Sequence, residues 1–209
     1  LGDRPPSVPD RVRSSLAESP EVAAVRAREA IGFRHQDQIA LDRKRRDQVT
    51  KTLRLKLEAS GILVLKESGL ARFHARGLCI FADPFPVIVF SAEANSAQLF
   101  TIAHEFGHVA LGQSAISGPP PARGAASHAR RVEQWCNSFA AAFLVPAADL
   151  QNLRPRPLQP AAGIADAELT TLANRYAVSR HAMLLRLIEL RYVADRFYWD
   201  EKRNEFLEA

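Results

Sequence analysis

Ser96-Ala-Gln-Leu-Phe-Thr-Ile-Ala-His104-Glu105-Phe-Gly-His108-Val-Ala-Leu-Gly112 carries the pattern H-E-x-x-H, and the rest of the chain is read outward from it. Leu99, Ile102, Ala103, Phe106 and Ala110 recur near the 3.6-residue period. Ser96 suits an N-cap and Gly112 stands where a glycine ends a helix, so the spacing predicts one continuous helix. In such a helix His104 and His108 lie one turn apart, about 40° around the axis, and can ligate a single ion while Glu105 faces the same opening. Gly107 weakens the helix by about 0.5–1 kcal/mol relative to alanine, which implies that something packs close to its backbone. The same five residues also fit an ordinary solvated helix face, so a metal site needs a third ligand.

Upstream, the pattern is helical from Glu21 to about Ser60, with Gly32 separating two helices, while Pro5, Pro6 and Pro9 mark residues 1–18 as an extended entry segment. Ile62–Leu65 reads as a short buried strand, and Gly77–Phe81 and Val87–Phe90 read as two more around a turn at Asp83–Pro86. A small sheet thus precedes the histidine helix, and its last strand offers an edge for an extended peptide. Downstream, Gly118, three prolines at 119–121 and Gly124 make residues 113–130 a loop without a packed pattern. Val132, Trp135, Cys136, Phe139, Ala140, Phe143 and Leu144 then form the apolar stripe of a helix over 131–144, which Pro146 stops.

Glu133 is the only acidic residue of that second helix and lies 25 positions after His108. Two imidazoles and one carboxylate leave a fourth tetrahedral position open, the arrangement of catalytic rather than structural zinc sites. Asn137, one turn beyond Glu133, is placed to accept the free N–H of a ligand histidine, most simply His104, and fix its tautomer.

These two segments, Ile102–His108 and Glu133-Gln-Trp-Cys-Asn137-Ser-Phe-Ala-Ala-Ala-Phe-Leu-Val-Pro146, resemble the paired motifs of the ImmA/IrrE family of bacterial and phage metallopeptidases. The resemblance is firm over Leu53–Pro146 and looser through the tail. It implies a zincin-like α+β fold, His104, His108 and Glu133 as metal ligands, and Glu105 as general base. It further implies cleavage of a repressor protein, often of the helix-turn-helix type, in stress response, phage induction or toxin–antitoxin control. Cys136 stands where the family usually has alanine and Ala142 where glutamate is frequent. Zinc is the expected ion, although these ligand types also accept manganese. The chemistry further requires an oxyanion donor, for which His128, Arg130, Tyr176 and Tyr192 are candidates. His35 and His74 read as structural or surface residues.

The expected parts are an extended and helical segment over 1–60, a metallopeptidase core over 61–150, and a helical, helix-turn-helix-like region over 151–209. In the last, two helices meet near Tyr176–Val178 and Ser179 caps the second, which carries Arg180, His181 and Arg186. Packing on the core and DNA reading both suit that helix, and with a net charge of +5 they leave a second hypothesis, a metal-containing regulatory or DNA-binding module with weak or no proteolysis. The run Arg43-Lys44-Arg45-Arg46 reads as a solvated helix face. Cys79 and Cys136 are too few for a disulfide framework and read as buried apolar residues. No apolar run reaches membrane-spanning length and the first residues hold no signal-peptide core, so a cytoplasmic location is expected. The chain starts at Leu1 and its only methionine is Met183, so a preceding domain is expected as well.

Overall fold

The computed structural model describes residues 8–39, 46–82, 85–92, 95–118 and 127–208. It is a mixed α+β molecule in which a four-stranded sheet packs beside two long crossing helices. Strands β1 (Leu63–Lys66), β2 (Gly77–Ile80), β3 (Val87–Phe90) and β4 (Ala115–Ser117) lie in the order β1-β3-β2-β4. The β1–β3 pair is parallel and the other two pairs are antiparallel. A 3₁₀ segment, Ser68–Phe73, links β1 to β2.

The H-E-x-x-H stretch forms the helix Asn95–Leu111, and the Glu133 stretch forms the helix Ser127–Leu144. In chain order the helices are α1 (Val8–Arg11), α2 (Pro20–Ala30), α3 (His35–Ile39), α4 (Arg46–Ala59), α5 (Asn95–Leu111) and α6 (Ser127–Leu144). They continue with α7 (Ala147–Leu153), α8 (Asp166–Arg175), α9 (Arg180–Glu189), α10 (Asp195–Phe197) and α11 (Arg203–Glu208), the last two joined by a π-turn at Tyr198–Lys202. Among the described residues α6 packs against both α5 and α2. The α5–α6 seam is made by Phe106, Phe139 and Phe143, all fully buried, with Phe106 edge-on to both of the others.

Gly107 faces α6 at that crossing: a Cβ there would lie 3.2 Å from the Phe139 ring and 3.3 Å from the Cys136 backbone. That is the close partner its presence in a helix implied. Gly112 ends α5 with φ +67°, and Gly32 breaks the chain after α2 with φ +63°. Ser179 caps α9 by accepting from the Ala182 N–H at 3.0 Å. Cys79 and Cys136 are free and buried, and burial pushes the Cys79 thiol up to about 12, so both act as small apolar residues.

β1 is an edge strand, with Leu63 and Leu65 on an exposed face, rather than a buried one. β3 is interior to the sheet, so it offers no free edge; the edge opposite β1 belongs to β4, which follows the histidine helix within residues 113–130. The helix predicted to begin at Arg131 begins at Ser127, and α5 starts at Asn95, one residue before the expected Ser96 cap. Residues 8–18 are not merely extended: α1 is one helical turn, Val12 is fully buried, and the Ser14 N–H donates to the Ala110 carbonyl at 2.8 Å. Most of the basic run at 43–46, Asp83 and Pro84 of the expected turn, and the prolines at 119–121 lie outside the described residues.

Candidate metal centre

α5 and α6 cross so that three side chains meet. His104 Nε2 lies 3.2 Å from His108 Nε2 and 3.3 Å from Glu133 Oε2, and His108 Nε2 lies 3.4 Å from Glu133 Oε1. The ligand atoms of these three residues all fall within 4.8 Å of one another, and among the described residues they form a group that could hold a metal ion. Their spacing fits a cation: ligands about 2.0–2.1 Å from a tetrahedral centre stand about 3.3 Å apart. His108 is fully buried, His104 nearly so and Glu133 half-buried, which leaves the carboxylate side toward solvent.

Asn137 Oδ1 lies 3.0 Å from His104 Nδ1, the contact its position one turn after Glu133 predicts. Because an amide oxygen only accepts, that contact places the proton on Nδ1 and leaves Nε2 with its lone pair toward the group. The His104 and His108 rings hold the Glu133 carboxyl down at about 2.

Glu105 is fully buried, and neither carboxylate oxygen has a hydrogen-bond partner of good geometry. The Ser117 hydroxyl of β4 faces it without closing such a bond. Burial pushes this carboxyl up, while the His104 ring, the Ser117 hydroxyl and the His108 ring pull it back down. The carboxylate is accommodated by Gly77 at the start of β2, where a Cβ would stand 2.5 Å from Glu105 Oε1 and 2.7 Å from Thr101 Cγ2.

His104 and Glu133, with Glu105, open into a cleft of about 520 Å³, walled by α5, by Ile116 to Gly118 at the sheet edge, and by the first turns of α6, while His108 lies behind them. Of the four oxyanion candidates, only Arg130 lines it. His128 is exposed at the start of α6 and is not among the lining residues. Tyr176 is fully buried at the α8–α9 turn beside His35, and the Tyr192 hydroxyl donates to the Arg154 carbonyl at 3.0 Å, so neither hydroxyl reaches the cleft. Sequence reasoning missed Arg76, Gly77 and Ser117. Arg76 lines the cleft, and its backbone N–H donates to the Ser117 carbonyl, tying the start of β2 to β4.

A family model described as the IrrE N-terminal-like domain, peptidase family M78, matches residues 57–187. The chain belongs to this family. The match takes in all four described strands, α5 to α8, and α9 up to Leu187. Membership supports a metallopeptidase-type function and a zincin-like α+β fold, in agreement with the small sheet and the crossing helices. A comparison with curated proteins found no match. No helix among the described residues is long and apolar enough to cross a membrane.

Proposed function

We propose that this M78-family chain is a zinc-dependent endopeptidase that hydrolyses a peptide bond in a protein partner, with His104, His108 and Glu133 as ligands and Glu105 as general base. The observation that carries the reading is the convergence of two imidazole nitrogens and one carboxylate from different helices, within 3.4 Å, beside a buried carboxylate without partners. A divalent cation held there supplies Lewis acidity, polarising the scissile carbonyl and acidifying water.

The chain's own residues supply the remainder. Glu105, made a stronger proton acceptor by its burial, takes a proton as water oxygen bonds to the carbonyl carbon. It then delivers that proton to the amide nitrogen as the C–N bond breaks, leaving a carboxylate and an amine. Asn137 keeps the His104 ring oriented. Arg76 and Arg130 line the cleft, and we assign to their side chains the charge that the negative oxygen of the transition state requires. β4, at the sheet edge beside Glu105, offers backbone groups to an extended substrate. The partner we favour is a helix-turn-helix repressor in the cytoplasm, the substrate class that the family resemblance implies.

Glu105→Gln tests the reading. The variant should keep about one equivalent of zinc while losing about 10²–10⁴-fold in cleavage of a denatured protein mixture. Cleavage at the wild-type rate would remove Glu105 from the chemistry.

The alternative, a DNA-binding or regulatory module with little proteolysis, draws on the α8–α9 turn and its capped second helix. The cations that α9 would need are already engaged: Arg180 pairs with Asp166 and Glu205, and Arg186 is 2% exposed. Duplex binding with a steep salt dependence, and no cleavage by the zinc-loaded protein, would favour that alternative.

A further inference from the structure

The cleft does not end at the metal-ligating group. Arg76, Phe100, Thr101 and Asn137, which line it, also line a second cavity of about 520 Å³ that continues along α5 and α6 to α9. Most of the exposed lining of this continuation is apolar, set by Phe100 from α5, Ala141 from α6 and Leu185 from α9, with the polar side chains of Ser96, Ser138 and Ser179 among them.

α9 has two apolar faces. Met183, Leu184 and Leu187 are buried in the core, whereas Leu185 is 43% exposed and lines the trough. The polar groups of α9 around it are held by the protein itself. Arg186 donates to the Val145 carbonyl, to Glu189 and to Glu21. His181 is stacked between the Tyr198 and Phe206 rings, and its Nε2 lies 3.0 Å from the Tyr198 hydroxyl. What α9 itself presents to a ligand in the trough is chiefly the apolar surface of Ala182 and Leu185, which suits a hydrophobic side chain.

The continuity with the metal centre names the occupant. Arg130, at the cleft, and Ala141, in the trough, are eleven residues apart on α6, about 16 Å at 1.5 Å per residue. About five residues of extended chain cover that distance. We propose that the trough is the specificity subsite of the peptidase: a polypeptide lying across the metal centre buries an apolar side chain, about two to five residues from the scissile bond, against Phe100, Ala141 and Leu185. The helix that looks like a DNA-reading element is thereby part of the substrate cleft. This rests on the endopeptidase reading above.

Leu185→Asp places a charge in the trough at an exposed position, so the fold and the metal centre stay intact. Zinc-loaded wild type and variant are each given a library of tryptic peptides from a denatured protein mixture, and the cut sites are read by mass spectrometry. Wild type should enrich Leu, Ile, Met or Phe at one fixed position on one side of the cut. Leu185→Asp should lose that enrichment, with kcat/KM for a peptide carrying the preferred residue falling about tenfold or more at unchanged zinc content. An unchanged profile in the variant, or no enriched position in wild type, overturns the subsite alone; a zinc-loaded wild type that cuts nothing overturns the peptidase reading together with it. In the Glu105→Gln protein, the Leu185 methyl resonances should shift on adding the preferred peptide. A shift with a DNA duplex and none with the peptide overturns the proposal in favour of nucleic acid.

Discussion

At the scale of single residues, the site depends on an absent side chain as much as on those present. Gly77 leaves the space that the Glu105 carboxylate and the Thr101 methyl fill. Gly77→Ala inserts a carbon 2.5 Å from Glu105 Oε1, and the backbone of β2, paired on both sides, cannot retreat to make room. The carboxylate must turn away, while the three ligand atoms, which the new methyl does not approach, stay in place. We expect wild-type zinc content with a loss of about 10²-fold in cleavage rate, the usual cost of misplacing a catalytic group by about 1 Å. Zinc analysis beside a rate measurement checks this, and equal loss of both would mean that Gly77 supports the helix crossing rather than Glu105. The role of Gly77 is invisible in the sequence, since 28 positions separate it from Glu105 and only the fold brings them together.

At the scale of elements, the α5–α6 crossing sets the distance between the two histidines and Glu133. Gly107→Ala poses two opposed effects. Alanine favours the helix by about 0.5–1 kcal/mol. Its Cβ would also press on the Phe139 ring and the Cys136 backbone at 3.2 and 3.3 Å, and overpacking of that kind costs about 1–3 kcal/mol. The packing cost wins, so Gly107→Ala should lower the unfolding free energy by about 1–2 kcal/mol, measured by denaturant titration; a rise would show that the helices part without penalty. Long helices such as these were legible because their periodicity persists over several turns, and residues on one helix keep fixed mutual geometry. His104, His108 and the Glu133–Asn137 pair could therefore be placed on faces before any fold was known. β4 could not: three residues, with Ile116 exposed at 75%, give no alternation to read, and only pairing with β2 makes them a strand. The tyrosines failed for a related reason. Tyr176 and Tyr192 suit the role by chemistry, but whether a side chain from the α8–α9 turn or the tail reaches a cleft between α5 and α6 is a tertiary fact that local spacing does not encode.

At the scale of the whole molecule, buried cationic side chains tie distant elements together. Arg28 donates to the Phe143 carbonyl and to Gln38 Oε1, and Gln38 Nε2 donates in turn to the carbonyls of Leu144 and Tyr176, each at 2.7 Å. Arg186 performs the same task for α9, joining it to the Val145 carbonyl after α6 and to Glu21 on α2. The bonds to Phe143, Leu144 and Val145 satisfy carbonyls at the end of α6, where no further helical turn exists to donate to them. Arg186→Ala removes the donors, strands the Val145 carbonyl and leaves a cavity at a position 2% exposed. Glu21 is about one-third exposed and can turn to water, so the loss is smaller than for a fully buried pair, about 2–4 kcal/mol. Arg186→Met restores much of the volume without the hydrogen bonds and should recover part of that loss, which separates packing from bonding in denaturant midpoints. If α9 is a wall of the substrate cleft, Arg186→Met should also broaden the cleavage profile, because an unanchored α9 no longer fixes Leu185 opposite Phe100. Zinc uptake, governed by α5 and α6 alone, should remain at the wild-type level, and a variant that lost zinc together with selectivity would show that α9 supports the metal centre itself.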